Sequence, residues 1–265
     1  MNNKKGVILI LTLWVLVILS LLVLGFAYRA RVQNRLVTFS LREEKVFFLT
    51  KEGINRAIKE IDKDNNSFDA INESWYKPII VEKKEGKIFA AVRDEESKIN
   101  VNLASLEMLE KLPGMNEKIV QEIIKQRPLD TEREILNIEG ITAEDYYGSK
   151  YKKGLRDLIT VWGDGKININ TACEEILEII PGLSGETKEE IISRQRNEPF
   201  TQIEDLKDIP GISLEEYSRL RDLVKVSSSV FKIFCKGTLA DAERKIIAVV
   251  KKDKEAITIS SWREE

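Results

Sequence analysis

Few residues of this chain could do chemistry. Among its 265 residues there is no histidine, and cysteine occurs only as Cys173 and Cys235. Lacking imidazole, the chain has neither the usual general base, nor the commonest zinc ligand, nor a Ser-His or Cys-His nucleophile pair. A histidine-dependent enzyme is excluded. Two cysteines cannot build a four-thiolate metal site or a disulfide scaffold. They read as small buried residues or, in an oxidising compartment, as one bridge closing 62 residues and contributing about 4 kcal/mol by loop entropy. The oxygen-bearing clusters Asp94-Glu95-Glu96 and Asp164, Asn168, Asn170 have no EF-hand spacing and read as helix caps and solvated turns. Composition is that of an ordinary globular chain, 43% hydrophobic and 32% charged, with a net charge of −2.

The elements that carry these residues begin with an uncharged run. Val7 to Ala27 contains no charge and no polar face. At helical rise its 21 residues span about 31 Å, the thickness of a bilayer's hydrocarbon. A secretory signal peptide cut at Gly25-Phe26-Ala27 is one reading, although the apolar run exceeds the usual length of such a segment. The other rests on the stub before it. Met1-Asn2-Asn3-Lys4-Lys5-Gly6 is a short basic leader ending in glycine at the membrane face, and it resembles the leader of type IV prepilins and pseudopilins. The resemblance implies cleavage between Gly6 and Val7 by a prepilin peptidase on the cytoplasmic side, with the membrane helix retained. Flanking charge does not fix the orientation alone, since Arg29, Arg31 and Arg35 follow the apolar run.

Beyond Tyr28, Val32, Leu36, Phe39, Phe47, Ile54, Ile58 and Ile61 fall at helical spacing, interrupted by Glu43 and Thr50. The polar cluster 62–67 predicts the end of a helix roughly 80 Å long. From Lys98 the chain repeats itself: 98–124 aligns with 166–192 without gaps and with 13 of 27 positions identical. Each copy carries a Leu-Pro-Gly or Ile-Pro-Gly element that resembles a helix-hairpin-helix turn. The second glycine of DNA-binding hairpins is absent, replaced by Asn116, Ser184 and Ser213. Residues 98–226 hold 18 Lys+Arg against 25 Asp+Glu, a local net of −7, so no nucleic acid partner is expected. Alternating runs at 79–84, 87–93, 230–238, 244–251 and 256–262 predict an antiparallel sheet interrupted by the helical block.

These features together resemble the minor pseudopilin K family of type II secretion systems (general secretion pathway protein K). The leader and membrane helix, Asp94–Asn102 and Gly165–Ala172 carry the resemblance. It implies an α+β fold, with a pilin-like long N-terminal helix packed on an antiparallel sheet. An inserted all-helical domain contains two helix-hairpin-helix-like repeats. The expected division is a leader at 1–6, a membrane part at 7–27 and a periplasmic part of the helix at 28–62. A discontinuous α/β domain follows at 63–97 and 227–265, around an insertion at 98–226 with repeats 98–161 and 166–226. The implied location is the inner membrane, single-pass, with the N-terminus cytoplasmic and the C-terminal part periplasmic. Implied partners are other minor pseudopilins, the inner-membrane secretion platform, the peptidase and lipid.

In those families the fifth mature residue is usually a glutamate that pairs with the terminal amine of the subunit above. Here it is Leu11, as suits a subunit with nothing above it at the filament tip. Partner packing is expected along Leu13, Leu16, Val32, Leu36 and Phe39. A folded part of about 200 residues, with a radius of gyration near 16 Å, is too wide to repeat along a thin fibre. The resemblance also makes calcium a possible cofactor, with Asp94, Glu95 and Asp164 as weak candidates and no metal site assigned. The expected role is assembly rather than catalysis. The alternatives are a membrane-anchored helix-hairpin-helix DNA receptor and a tip minor pilin of a surface fibre.

Overall fold

The structure, a computed structural model, describes residues 3–84, 86–254 and 256–265. Met1 and Asn2 of the leader lie outside the described residues, as do the side chains of Lys4 and Lys5 and, in the first hairpin, Glu85.

Helix α1 (Asn3–Lys63) runs unbroken for 61 residues and stops within the polar cluster that predicts its end. Five strands form one antiparallel sheet in the order β1-β2-β7-β8-β9. They are β1 (Ile79–Lys83), β2 (Gly86–Asp94), β7 (Val230–Leu239), β8 (Ala242–Lys252) and β9 (Ile257–Glu264). Central neighbours β2 and β7 pair from Lys87↔Thr238 to Asp94↔Phe231, and everything between them in sequence is the helical region. Strand side chains alternate between faces. Ile88, Ala90, Val92, Phe231, Ile233, Cys235, Ile246, Ala248 and Val250 point one way and bury Leu49, Ile54, Ala57 and Ile61 of α1. Trp75, in the segment that follows α1, closes this core edge-on to Phe231 at 5.0 Å.

The helix lies close on the sheet because small residues meet there. A Cβ on Gly53 would stand 2.3 Å from Cys235 Sγ and 2.6 Å from Ile88 Cγ2. Thr50, which the periodicity reads as an interruption of the apolar stripe, is fully buried on that same face. Its hydroxyl donates back to the Val46 carbonyl at 2.7 Å, so the polar atom is satisfied inside the helix. It fits because it faces Gly237, where a Cβ would come within 2.3 Å of Oγ1.

The helical region is built from β3 (Ile99–Asn100), α2 (Leu106–Glu110), α3 (Glu117–Gln126), α4 (Ala143–Tyr147), α5 (Leu155–Leu158) and β4 (Ile159–Thr160). The second half has β5 (Ile167–Asn168), α6 (Glu174–Ile179), α7 (Gly185–Asn197), α8 (Leu214–Leu223) and β6 (Val224–Lys225). A 3-10 turn stands before α4 (Glu132–Asn137) and another before α8 (Ile203–Asp208). Each half is closed by a short parallel pair, Ile99↔Ile159 in one and Ile167↔Val224 in the other. The hairpin glycines Gly114 and Gly182 both have φ of 77°, the left-handed bend that glycine adopts without steric cost. One continuous apolar core runs from Ile99 through both halves to Val226, so neither repeat is packed alone.

Candidate functional site

Two places hold the residues that the sequence singles out. The first is the N-terminal part of α1. From Gly6 to Leu41 every residue is exposed, a rod of about 54 Å that packs on nothing within the chain. Leu11 is 64% exposed, and Leu13, Leu16, Leu36 and Phe39 are exposed to a similar degree; Val32 is less so. Apolar side chains surround the helix in its membrane-length half, and the Thr12 hydroxyl donates to the Leu9 carbonyl at 2.8 Å, leaving no donor unpaired on that turn. The helix is long and apolar enough to cross a membrane. It meets the head where Arg42 pairs with Asp241 at 2.7 Å and Glu43 with Arg244 at 3.3 Å.

The second place is the junction between sheet and helical region, where Asp94, Glu95, Glu96, Asp164, Asn168 and Asn170 converge. The cluster at the end of β2 is buried rather than a solvated turn. Asp94 Oδ2 accepts hydrogen bonds from Thr171 Oγ1 at 2.5 Å, Ser228 Oγ at 2.6 Å and Asn168 Nδ2 at 3.0 Å. Its Oδ1 accepts from the Glu96 amide at 2.8 Å. Burial pushes its carboxyl up to about 6 in spite of those donors. Glu95 lies between Lys98 at 2.7 Å and Lys232 at 3.1 Å and accepts from Thr160 Oγ1 at 2.8 Å. Burial alone would raise its carboxyl, but the two ammonium groups and these hydrogen bonds pull it down to about 2. Glu96 and Asp164 share Lys225, at 2.7 and 3.1 Å. Protein donors and cations thus engage Asp94, Glu95 and Asp164, the weak calcium candidates. Their structural work is to tie β2 to the start and end of the helical region.

The asparagines explain why the two halves share the pattern Ile-Asn-x-Asn. Asn170 exchanges hydrogen bonds with the Phe200 backbone, donating and accepting at 2.9 Å. Asn102 does the same with Leu129, at 2.9 and 2.8 Å. Asn100 and Asn168 each accept from the amide two residues on, at 2.9 and 3.0 Å, forming the Asx turn that starts each half. Internal identity carried this signal, although it does not say which contacts are made. Asn116, Ser184 and Ser213, where DNA-binding hairpins have a second glycine, are N-caps of α3, α7 and α8. Each side chain takes a backbone amide that a phosphate would otherwise approach.

The bridge considered between Cys173 and Cys235 is not formed, and both thiols are free. Cys235 is on the α1 side of the sheet, where burial pushes its thiol up to about 12. Cys173 lines a groove of about 850 Å³ on the opposite side, together with Lys232, Phe234 and Tyr147. Burial raises the Cys173 thiol too, the reverse of an activated thiolate. Sequence reading passed over Asp69 and Glu73, in the segment after α1. Burial pushes Asp69 up to about 8, only partly offset by the hydrogen bond from the Ser228 amide. No spacing or repeat marks either residue.

Residues 94–150 and 164–225 each match the helix-hairpin-helix motif family. No curated protein matches the chain in sequence. Among solved structures, the chain is similar to one in the crystal structure of the GspK–GspI–GspJ complex from the enterotoxigenic Escherichia coli type 2 secretion system. That match has a TM-score of 0.71 and 14% identity, and covers 86% of this chain and 99% of the other. At that identity the likeness establishes the fold alone, and it is the α+β architecture that the sequence resemblance implies: a long N-terminal helix on a five-stranded antiparallel sheet, carrying an inserted helical region with helix-hairpin-helix motifs.

Proposed function

We propose that this chain is a minor pseudopilin of the K type, anchored in the inner membrane by Val7–Ala27, which caps a type II secretion pseudopilus and helps start its assembly. Residues 98–226 act as the inserted domain, carried by a discontinuous α/β domain at 63–97 and 227–265. The observation that carries this reading is the 54 Å exposed rod, apolar all round over Val7–Ala27, left unpacked on a head of pseudopilin fold. A rod with that much exposed apolar surface needs lipid or other helices around it. Minor pseudopilins, whose rods are of the same kind, supply the second environment once the subunit leaves the membrane. Leu11 fits the tip because it asks for no amine from a subunit above.

N-terminal sequencing of the protein purified from membranes tests this. Val7 as first residue is the expected outcome. A product beginning at Tyr28 and recovered in the aqueous fraction would overturn it. The helix-hairpin-helix match favours a second reading, a membrane-anchored DNA receptor. Against it stand the capping side chains of Asn116, Ser184 and Ser213 and the acidic balance of residues 98–226. Filter binding at low salt separates the two, because DNA binding that depends on phosphate contacts falls steeply as salt rises.

A further inference from the structure

The face of the sheet turned away from α1 is not the polar surface that alternation normally presents to water. Two rows of paired residues cross it: Ala91, Phe234, Ile247 and Arg263 in one, and Arg93, Lys232, Val249 and Ser261 in the other. Phe234 stays 39% exposed. It lies in the groove of about 850 Å³ where the sheet meets the helical region. That volume falls within the roughly 300–1,000 Å³ of ligand-binding clefts.

The lining sets cations beside aromatic rings. Arg93 stacks on Tyr76 at 5.1 Å and Arg156 on Tyr147 at 5.7 Å. Arg133, in the 3-10 turn before α4, donates to the Tyr147 hydroxyl at 3.3 Å. Arginines held in this way present a planar fork already oriented for a carboxylate. Seven cations and five carboxylates line the groove, and most of the carboxylates are spoken for. Glu132 pairs with Lys232, Asp157 with Arg156 and Glu265 with Arg263, while Asp94 is taken up by its hydrogen bonds. Asp130 alone of the five is unengaged among the described residues. Arg93 and Arg133 are exposed, and their guanidinium groups meet no carboxylate among the described residues.

We propose that this groove receives an extended acidic segment of another protein. Carboxylates of that segment meet Arg93 and Arg133, and an apolar side chain beside them covers Phe234 and Ile247. A lone anion would leave the apolar floor uncovered. A nucleic acid needs a more basic surface than two unpaired arginines beside a helical region of net −7. A peptide brings both chemistries at once, and its apolar contact supplies the burial that an exposed charge pair lacks. The proposal rests on the groove alone and stands whether or not the secretion reading does.

Isothermal titration of the full chain in dodecyl maltoside with the peptide Asp-Phe-Asp-Ile-Asp, blocked at both ends, tests this. The same peptide with lysine in place of aspartate is the control. Binding at a stoichiometry of one is expected for the acidic peptide alone, and it should weaken as salt rises. Arg93→Gln and Arg133→Gln should each weaken it about tenfold, the worth of a hydrogen bond to a charged group. Both side chains are exposed, so both variants should keep the fold. Arg196→Gln, exposed on α7 and outside the groove, should change nothing. Cys173 reports the place: bound peptide should slow its alkylation by N-ethylmaleimide, while Cys235, buried on the α1 side, stays unreacted. No binding of the acidic peptide, equal binding of the basic one, or unchanged binding in both arginine variants would overturn the proposal. So would binding of a short DNA strand in place of the peptide, which would assign the groove to phosphate.

Discussion

Glu95 is a carboxylate with no access to water, held between two lysines and a threonine hydroxyl. Its value near 2 in the folded protein is below the ordinary glutamate value of 4.5. The group therefore contributes stability that is fully present above pH 4.5 and is lost as pH falls toward 2. The span corresponds to about 3 kcal/mol. Lys232 is the partner to remove, since it also reaches Glu132 at 2.7 Å and so joins the sheet to the helical region. Lys232→Met should cost about 3 kcal/mol at neutral pH, the usual penalty for stranding one member of a buried pair. It should also flatten the acid limb between pH 4.5 and 2. Urea unfolding of the two proteins across that range checks both effects, and an acid limb of unchanged slope would show that Lys98 suffices alone.

Among the elements, α1 and the sheet are joined most tightly where Gly53 lies over Cys235. Alanine at 53 would gain up to about 1 kcal/mol in helix propensity. It would also drive its methyl into Cys235 Sγ and Ile88 Cγ2, inside any allowed contact. Overpacking of that kind costs about 1–3 kcal/mol. Gly53→Ala should therefore lower the melting temperature, and Gly53→Val should lower it further. In a double-mutant cycle with Cys235→Ala the two changes should compensate by about 1 kcal/mol or more, because removing Sγ opens one of the two clashes. Strict additivity in thermal melts would mean that Ile88 alone sets the spacing.

The whole molecule is a head with two apolar cores, one between helix and sheet and one within the helical region, attached to a rod that has no core. Such a shape is incomplete in water. In the proposed filament, Leu11 and the bulk of the insertion are independent reasons for a place at the end. Leu11→Glu supplies the carboxylate that body subunits use, and the variant should spread along the fibre, as read by immunogold labelling of assembled pseudopili. Labelling that stays confined to the end would assign the sorting to the size of the inserted region.

The sequence by itself determined what depends on local periodicity: the rod, its stop near Lys63, five strands at almost their observed limits, and a duplicated helical block between two of them. It also marked Asp94, Glu95, Asn168 and Asn170, because the repeat and the run of acids are visible in one dimension. Their roles were not legible, since whether a carboxylate is solvated or buried depends on chain far away, here Ser228 and Lys232. Thr50 misled the apolar count because a hydroxyl can satisfy itself within a helix and then be buried opposite Gly237. Cys173 and Cys235 could be paired on paper, yet the alternation of β7 turns Cys235 toward α1, while Cys173 lies in the groove on the other side of the sheet. Asp69 gave no sign at all. Only tertiary packing, which brings Val226–Ser228 and Asn168 against the segment after α1, excludes water from its carboxylate and leaves one oxygen without a donor among the described residues.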